Sequence, residues 1–154
     1  MWTALTAATG PLGGSFLGLF QFGHLLAFAI LRKPGVTFST SVLTTIGQLL
    51  LGDPSGAYVL GWGVFHGLGA ELVFLLSHYR KPGFLILGLA GGVAAVIGQI
   101  YSYYVFGWDS ALSLFFFSLP ILFLSSAVES GGIAHIASRS LEKLRPRSSS
   151  RKAP

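Results

Sequence analysis

The alternation of apolar and polar positions divides the chain into long apolar runs separated by brief charged or Pro/Gly-rich joints. Five runs result, at about residues 12–31, 36–51, 57–77, 84–106 and 111–137. The joints are RKPG (32–35), GDPSG (52–56), HYRKPG (78–83) and FGWDS (106–110). Crossing the hydrocarbon core takes about 20 helical residues. The third, fourth and fifth runs meet that length, the first is adequate, and the second is short unless tucked against its neighbours. Such short joints force consecutive helices to run antiparallel. The pattern predicts an all-α fold: a polytopic helical membrane protein with five transmembrane helices.

Composition supports that reading and adds an orientation. The 154 residues are 52% hydrophobic and 10% charged, with a mean hydropathy of +0.70, too apolar for a soluble domain of this size. The basic residues follow the first, third and fifth runs: Arg32 and Lys33, Arg80 and Lys81, then Arg139, Lys143, Arg145, Arg147, Arg151 and Lys152. Lys and Arg gather in cytoplasmic loops, which puts these joints inside and the amino terminus outside. Asp53 and Asp109 fall on the opposite side, with Trp62, Tyr101, Tyr103, Tyr104 and Trp108 near it, as interfacial aromatics do. The expectation is a multi-pass protein of the cell membrane with a cytoplasmic carboxyl terminus. Residues 1–137 form the membrane-embedded domain, and 138–154 a basic, disordered tail that touches anionic headgroups. The net charge of +5 is thus a topology signal, and no nucleic acid is expected as a partner. No Lys or Arg precedes Arg32, unlike the basic start of a secretory signal peptide. The absence of Cys closes disulfide and thiolate chemistry.

Glycines recur four apart at Gly10, Gly14 and Gly18, at Gly63 and Gly67, and at Gly88 and Gly92. Small residues at that spacing let helix backbones approach closely in lipid, as internal packing or as a docking face for another membrane protein. Ser39, Thr40, Ser41, Thr44 and Thr45 can bond carbonyls four residues back or a neighbouring helix.

Polar groups inside a membrane are expensive and are candidates for function. At about 1.5 Å per residue, Glu71 and His24 each lie roughly 10 Å from the inner end of their run, with Ser41 and Thr44 near that level and Glu129 beside it. An outer set comprises Gln48, Trp62 and His66 one turn apart, and Gln99, Tyr101 and Ser102. Ring faces mixed with neutral donors and acceptors suit a small heteroaromatic ligand arriving from outside. The candidate substrate-binding residues are therefore Gln48, Trp62, His66, Gln99 and Tyr101, with Glu71 below them. Gly63, Gly67 and Glu71 form one stripe, so Glu71 is either a pocket floor or an interhelical partner of His24. No catalytic residues, no metal ligands and no resident cofactor are expected. The Ser and His residues make no triad or elbow signature, and His66 and Glu71, five apart, sit on different helix faces.

LRKPG (31–35), LLLGDPSG (49–56) and GLGAELVF (67–74), with their spacing, resemble the YkoE family of thiamine-type substrate-binding S components of energy-coupling factor (ECF) vitamin transporters. The similarity is clearest from Leu31 to Glu71 and continues through LAGG (89–92) and IY (100–101) to about Trp108. The resemblance implies a six-helix subunit, its first helix shortened or missing here, that binds a vitamin at the outer face. It would dock on a transmembrane T subunit driven by two ATPase subunits, which use the ATP, and the Gly10–Gly14–Gly18 line is a candidate for the docking face. Family members carry acidic side chains where this chain has Ser41, Gln48 and Ser102. That departure favours a neutral pyrimidine such as hydroxymethylpyrimidine beside the thiamine cation. Two other readings remain open: a self-sufficient proton-coupled transporter relaying through His24 and Glu71, and a non-transporting assembly subunit.

Overall fold

In the computed structural model, residues 17–106 and 112–144 are described. They form five helices and no strand: α1 (Leu17–Leu31), α2 (Val36–Leu50), α3 (Tyr58–Leu76), α4 (Phe84–Phe106) and α5 (Leu112–Leu144). The five expected runs are there, in order and nearly at the expected bounds. Each helix packs on its chain neighbour, and α1 closes the bundle by packing on α5 as well as on α2 and α4. The short joints make neighbours antiparallel, so α1, α3 and α5 all end at one face. Arg32, Lys33, Arg80, Lys81, Arg139 and Lys143 gather there. This is the basic end; the joint at Asp53 marks the far end.

Three helices are long and apolar enough to span a bilayer, within Tyr58–Leu76, Phe84–Val105 and Phe115–Lys143. Together with the outward-facing Leu43, Leu76, Leu85, Phe117, Leu124 and Ile136, they make this a multi-pass membrane protein, since such a surface is stable only against lipid. The 15 residues of α2 reach only about 22 Å, the short span foreseen. At the other extreme α5, with 33 residues, runs about 50 Å, well past a hydrocarbon core of about 30 Å. The tail boundary expected at 137 therefore falls inside α5, because Arg139, Glu142 and Lys143 continue the helix beyond the apolar run. Residues 145–154 lie outside the described part, as do MWTALTAATG, Trp108 and Asp109.

Local chemistry ends the helices where the joints predict. After α2, Gly52 takes φ +80°; its N–H bonds Leu49 O and the Asp53 N–H bonds Gln48 O, the Schellman arrangement that a left-handed glycine permits. After α3 the same pair of bonds forms through His78 and Tyr79, both at positive φ. This turn folds Tyr79 back over the helix it terminates. The core lies toward the basic end, around Leu25, Phe28, Ala70, Phe74, Leu87, Ala90, Ala94 and Ala134, with Phe28 and Phe74 stacked at 3.8 Å between ring centroids.

The glycine stripes are the seams between helices. A Cβ at Gly63 would meet Thr45 Oγ1 at 2.1 Å, one at Gly67 would meet Phe38 Cα at 3.0 Å, and one at Gly131 would meet the Gly88 backbone at 2.5 Å. Gly92 is likewise filled from α5, by Phe123. Gly18 faces inward, with Glu129 and Ser126 of α5 against it. It is thus spent on internal packing rather than on the docking line proposed for it, while Gly10 and Gly14 lie outside the described residues.

Candidate functional site

Two polar clusters stand between the helices at different depths. The deeper one, toward the basic end, is built around Glu71. The Gly63–Gly67–Glu71 stripe of α3 runs along α2, and its carboxylate arrives at the point where α2 begins. Glu71 Oε1 accepts the Gly35 N–H at 2.6 Å and the Tyr79 hydroxyl at 3.0 Å, and Oε2 accepts the Phe38 N–H at 3.4 Å. The first N–H groups of a helix have no partner within it, and a negative charge is favoured beside them. Gly35, with φ +79° and no side-chain cap of its own, leaves that role to Glu71. Burial first, and then the bond to Glu71, raises the Tyr79 phenol above its ordinary pKa. The interhelical alternative foreseen for Glu71 is realised through α2 instead of His24, whose Nε2 is buried with no hydrogen-bond partner among the described residues.

Glu129 was expected near the same level. It lies instead against Gly18 at the opposite end of α1 from Arg32, its Oε2 buried with no hydrogen-bond partner among the described residues.

The second cluster lies farther toward the far end, where α1, α3 and α4 meet. Trp62 and His66 have ring centroids 6.4 Å apart. The Trp62 indole N–H donates to Ser102 Oγ at 2.7 Å, and that hydroxyl donates to the Gly98 carbonyl at 2.9 Å. Gly98 makes room for the imidazole: a Cβ there would fall 1.8 Å from His66 Nε2. From α1, the Gln21 amide nitrogen comes within 3.4 Å of the same Nε2 and donates to it when the ring proton is on Nδ1. Gln21 is 2% exposed and His24, one turn on, 6%. Gln21 Oε1 and His24 Nε2 both lack partners among the described residues. A buried polar atom left unpaired costs about 1–3 kcal/mol, so this pair holds hydrogen-bonding capacity that a polar ligand could take up.

Tyr101 of α4 packs along the adjoining edge of α3, its hydroxyl donating to the Tyr58 carbonyl at 3.1 Å and its ring stacked 4.8 Å from Phe65. Gln48, in the last turn of α2, and Gln99, on α4, are half-buried. Of the six candidates, Trp62 and His66 share one cluster, Tyr101 lies beside it, and Glu71 belongs to the other cluster, five residues or about 7.5 Å along α3 from His66. Ser41 and Ser102, where family members carry acids, are engaged by Gly67 and Trp62 respectively. Gln21 was not among the sequence candidates. Its signal was its spacing three residues before His24 in an otherwise apolar helix, which puts both on one face.

The comparisons with known proteins meet this geometry. The family model described as the permease component of an ABC-type cobalt transport system matches residues 1–97. A Bacillus subtilis (strain 168) protein named as an HMP/thiamine permease, YkoE, is 31% identical over 125 residues, 80% of this chain and 63% of its own length. The chain thus spans less than two thirds of that relative. The crystal structure of an S component of an ECF transporter superposes with a TM-score of 0.85 at 29% identity, covering 92% of this chain and 73% of that one. The expected YkoE likeness is met by that relative and the S-component fold by the solved structure, and the chain belongs to the family of ABC-type cobalt transport system permease components.

Proposed function

We propose that this chain is the membrane-embedded S component of an ECF-type importer, binding thiamine or its hydroxymethylpyrimidine moiety between α1, α3 and α4. The observation that carries the reading is the Gln21–His66–Trp62–Ser102 cluster, with Gln21 Oε1 and His24 Nε2, unpartnered among the described residues, beside it. An indole face, an imidazole and a carboxamide stack on and orient a heteroaromatic ring, and the absence of a carboxylate among them favours the neutral pyrimidine over the cation. Tyr101 closes one edge, and Gln48 and Gln99, half-buried toward the far end, are the further candidates for contact. Glu71 acts indirectly, by fixing α2 against α3. The T subunit and two ATPase subunits supply transport and use the ATP. The basic end faces the cytoplasm, and the chain itself catalyses no reaction.

Support comes from the names of the relative and of the solved S component. The family description names cobalt, but among the described residues no three His, Cys, Asp or Glu side chains converge, whereas the donors that do converge suit a ring. Titration calorimetry on the purified chain tests the proposal. Thiamine or hydroxymethylpyrimidine is expected to bind, with binding lost in Trp62→Ala and weakened in His66→Ala. No heat from thiamine, its phosphates or the pyrimidine, or a response to cobalt alone, would overturn it.

A further inference from the structure

The basic end holds a cavity unrelated to the ring-binding cluster. It measures about 230 Å³ and is lined by Ala29 and Arg32 of α1, by Lys81, Pro82 and Gly83 of the α3–α4 joint, and by His135, Ser138, Arg139 and Glu142 of α5. Three cations face one carboxylate. Glu142 is already engaged, accepting from Arg32 and lying 3.5 Å from Lys81, which braces the mouth by tying α1 and the joint to α5. Arg139 has no ion pair among the described residues, so its charge is left for whatever enters. His135 adds a second unspent group: its Nδ1 is buried with no hydrogen-bond partner among the described residues, while Phe84 packs edge-on against its ring at 6.2 Å. Ser138 lies on the same wall, its hydroxyl donating to the His135 carbonyl at 2.9 Å. A guanidinium with free donors, an unpaired imidazole nitrogen and a net positive wall are what a phosphate ester requires.

Size and depth narrow the source. Pockets for whole small-molecule ligands run about 300–1,000 Å³; 230 Å³ falls short of that yet holds a headgroup phosphate with ease. The cavity sits where α5 leaves its apolar run and turns polar, and basic pockets between helices at the cytoplasmic side capture lipid headgroups. From these observations we infer that the Arg139–His135 cavity is a specific site for the phosphate of an anionic phospholipid, which locks α1, α5 and the α3–α4 joint together at the basic end.

Native mass spectrometry of the full chain in detergent, with equal amounts of phosphatidylglycerol and phosphatidylcholine, tests this. Phosphatidylglycerol is expected to be retained preferentially. Arg139→Gln, which leaves the Arg32–Glu142–Lys81 network whole, should lower that retention about fivefold, the worth of one basic residue at an anionic surface. Arg139→Lys should restore most of it, and His135→Phe should lower retention while keeping the contact with Phe84. Millimolar inorganic phosphate should displace nothing. Equal retention of both lipids, or full retention in Arg139→Gln, would overturn the inference. Displacement of the lipid by inorganic phosphate would assign the cavity to a soluble anion and overturn the lipid reading.

Discussion

Glu71 shows how a single intramembrane carboxylate is decided by its neighbours. A charge in an apolar helix invites assignment to a cationic ligand, yet its oxygens are taken by Gly35, Phe38 and Tyr79. Glu71→Gln keeps one acceptor but removes the charge at the start of α2, and losses of helix caps run about 0.5–2 kcal/mol. Melting of the detergent-purified variant should drop accordingly, with ligand affinity within twofold of wild type. A large affinity loss at unchanged melting temperature would return Glu71 to the binding site. Tyr79 supplies a pH test of the same cluster. Its pKa is raised by burial and by Glu71 from an ordinary 10.0, so below that value both folded and unfolded chains hold the proton and stability is flat. Above it the unfolded chain releases the proton first, and stability falls with rising pH. Comparing melting at pH 9 and pH 11, Tyr79→Phe should show a smaller drop than wild type; equal drops would exclude Tyr79 as the source.

At the scale of helices, the seams are set by glycines whose missing side chains are filled from across the gap. Gly131 lies backbone to backbone with Gly88, where a Cβ would come within 2.5 Å, whereas Gly23 of α1 has nothing within 4 Å. Gly131→Ala must push α4 from α5 and should destabilise by about 1–3 kcal/mol, as overpacking does. Gly23→Ala should be neutral or stabilising by up to about 1 kcal/mol, the helix preference of Ala over Gly. Thermal melts of the two variants side by side check the contrast, and equal effects would deny that backbone contact sets the α4–α5 spacing. The five described helices, their order and most of their bounds were legible in the sequence because hydropathy runs and Pro/Gly joints are local signals; the end of α5 was not, because its last turns are polar. Which face of a helix meets which neighbour is not local. The Gly63–Gly67–Glu71 stripe could be read as a stripe, but that it would meet Thr45, Phe38 and Gly35 depends on the α2–α3 register, which the GDPSG joint sets only in three dimensions. The same holds for Gln21, whose approach to His66 across 45 residues no spacing rule foretells, and for Gly18, which is spent against α5.

At the scale of the molecule, the five helices gather the basic residues at one end and leave apolar side chains facing lipid, so orientation becomes a single question about which end meets the cytoplasm. The basic residues argue that the ends of α1, α3 and α5 do, because translocating Lys and Arg across the membrane is disfavoured. The chain contains no cysteine, so one introduced thiol reports one location. Ser55 lies in the α2–α3 joint at the far end, its backbone N–H bonded to Asp53 Oδ1 at 2.8 Å, and Ser140 is exposed near the end of α5. In intact cells a membrane-impermeant maleimide should label Ser55→Cys and leave Ser140→Cys unmodified until the membrane is permeabilised. The reverse pattern would invert the bundle, putting Trp62 and Tyr101 nearer the cytoplasmic side, where capture of a vitamin from outside would be impossible. Labelling therefore tests the importer reading without any ligand, and it does so independently of whether the Gln21–His66 cluster binds thiamine or its pyrimidine.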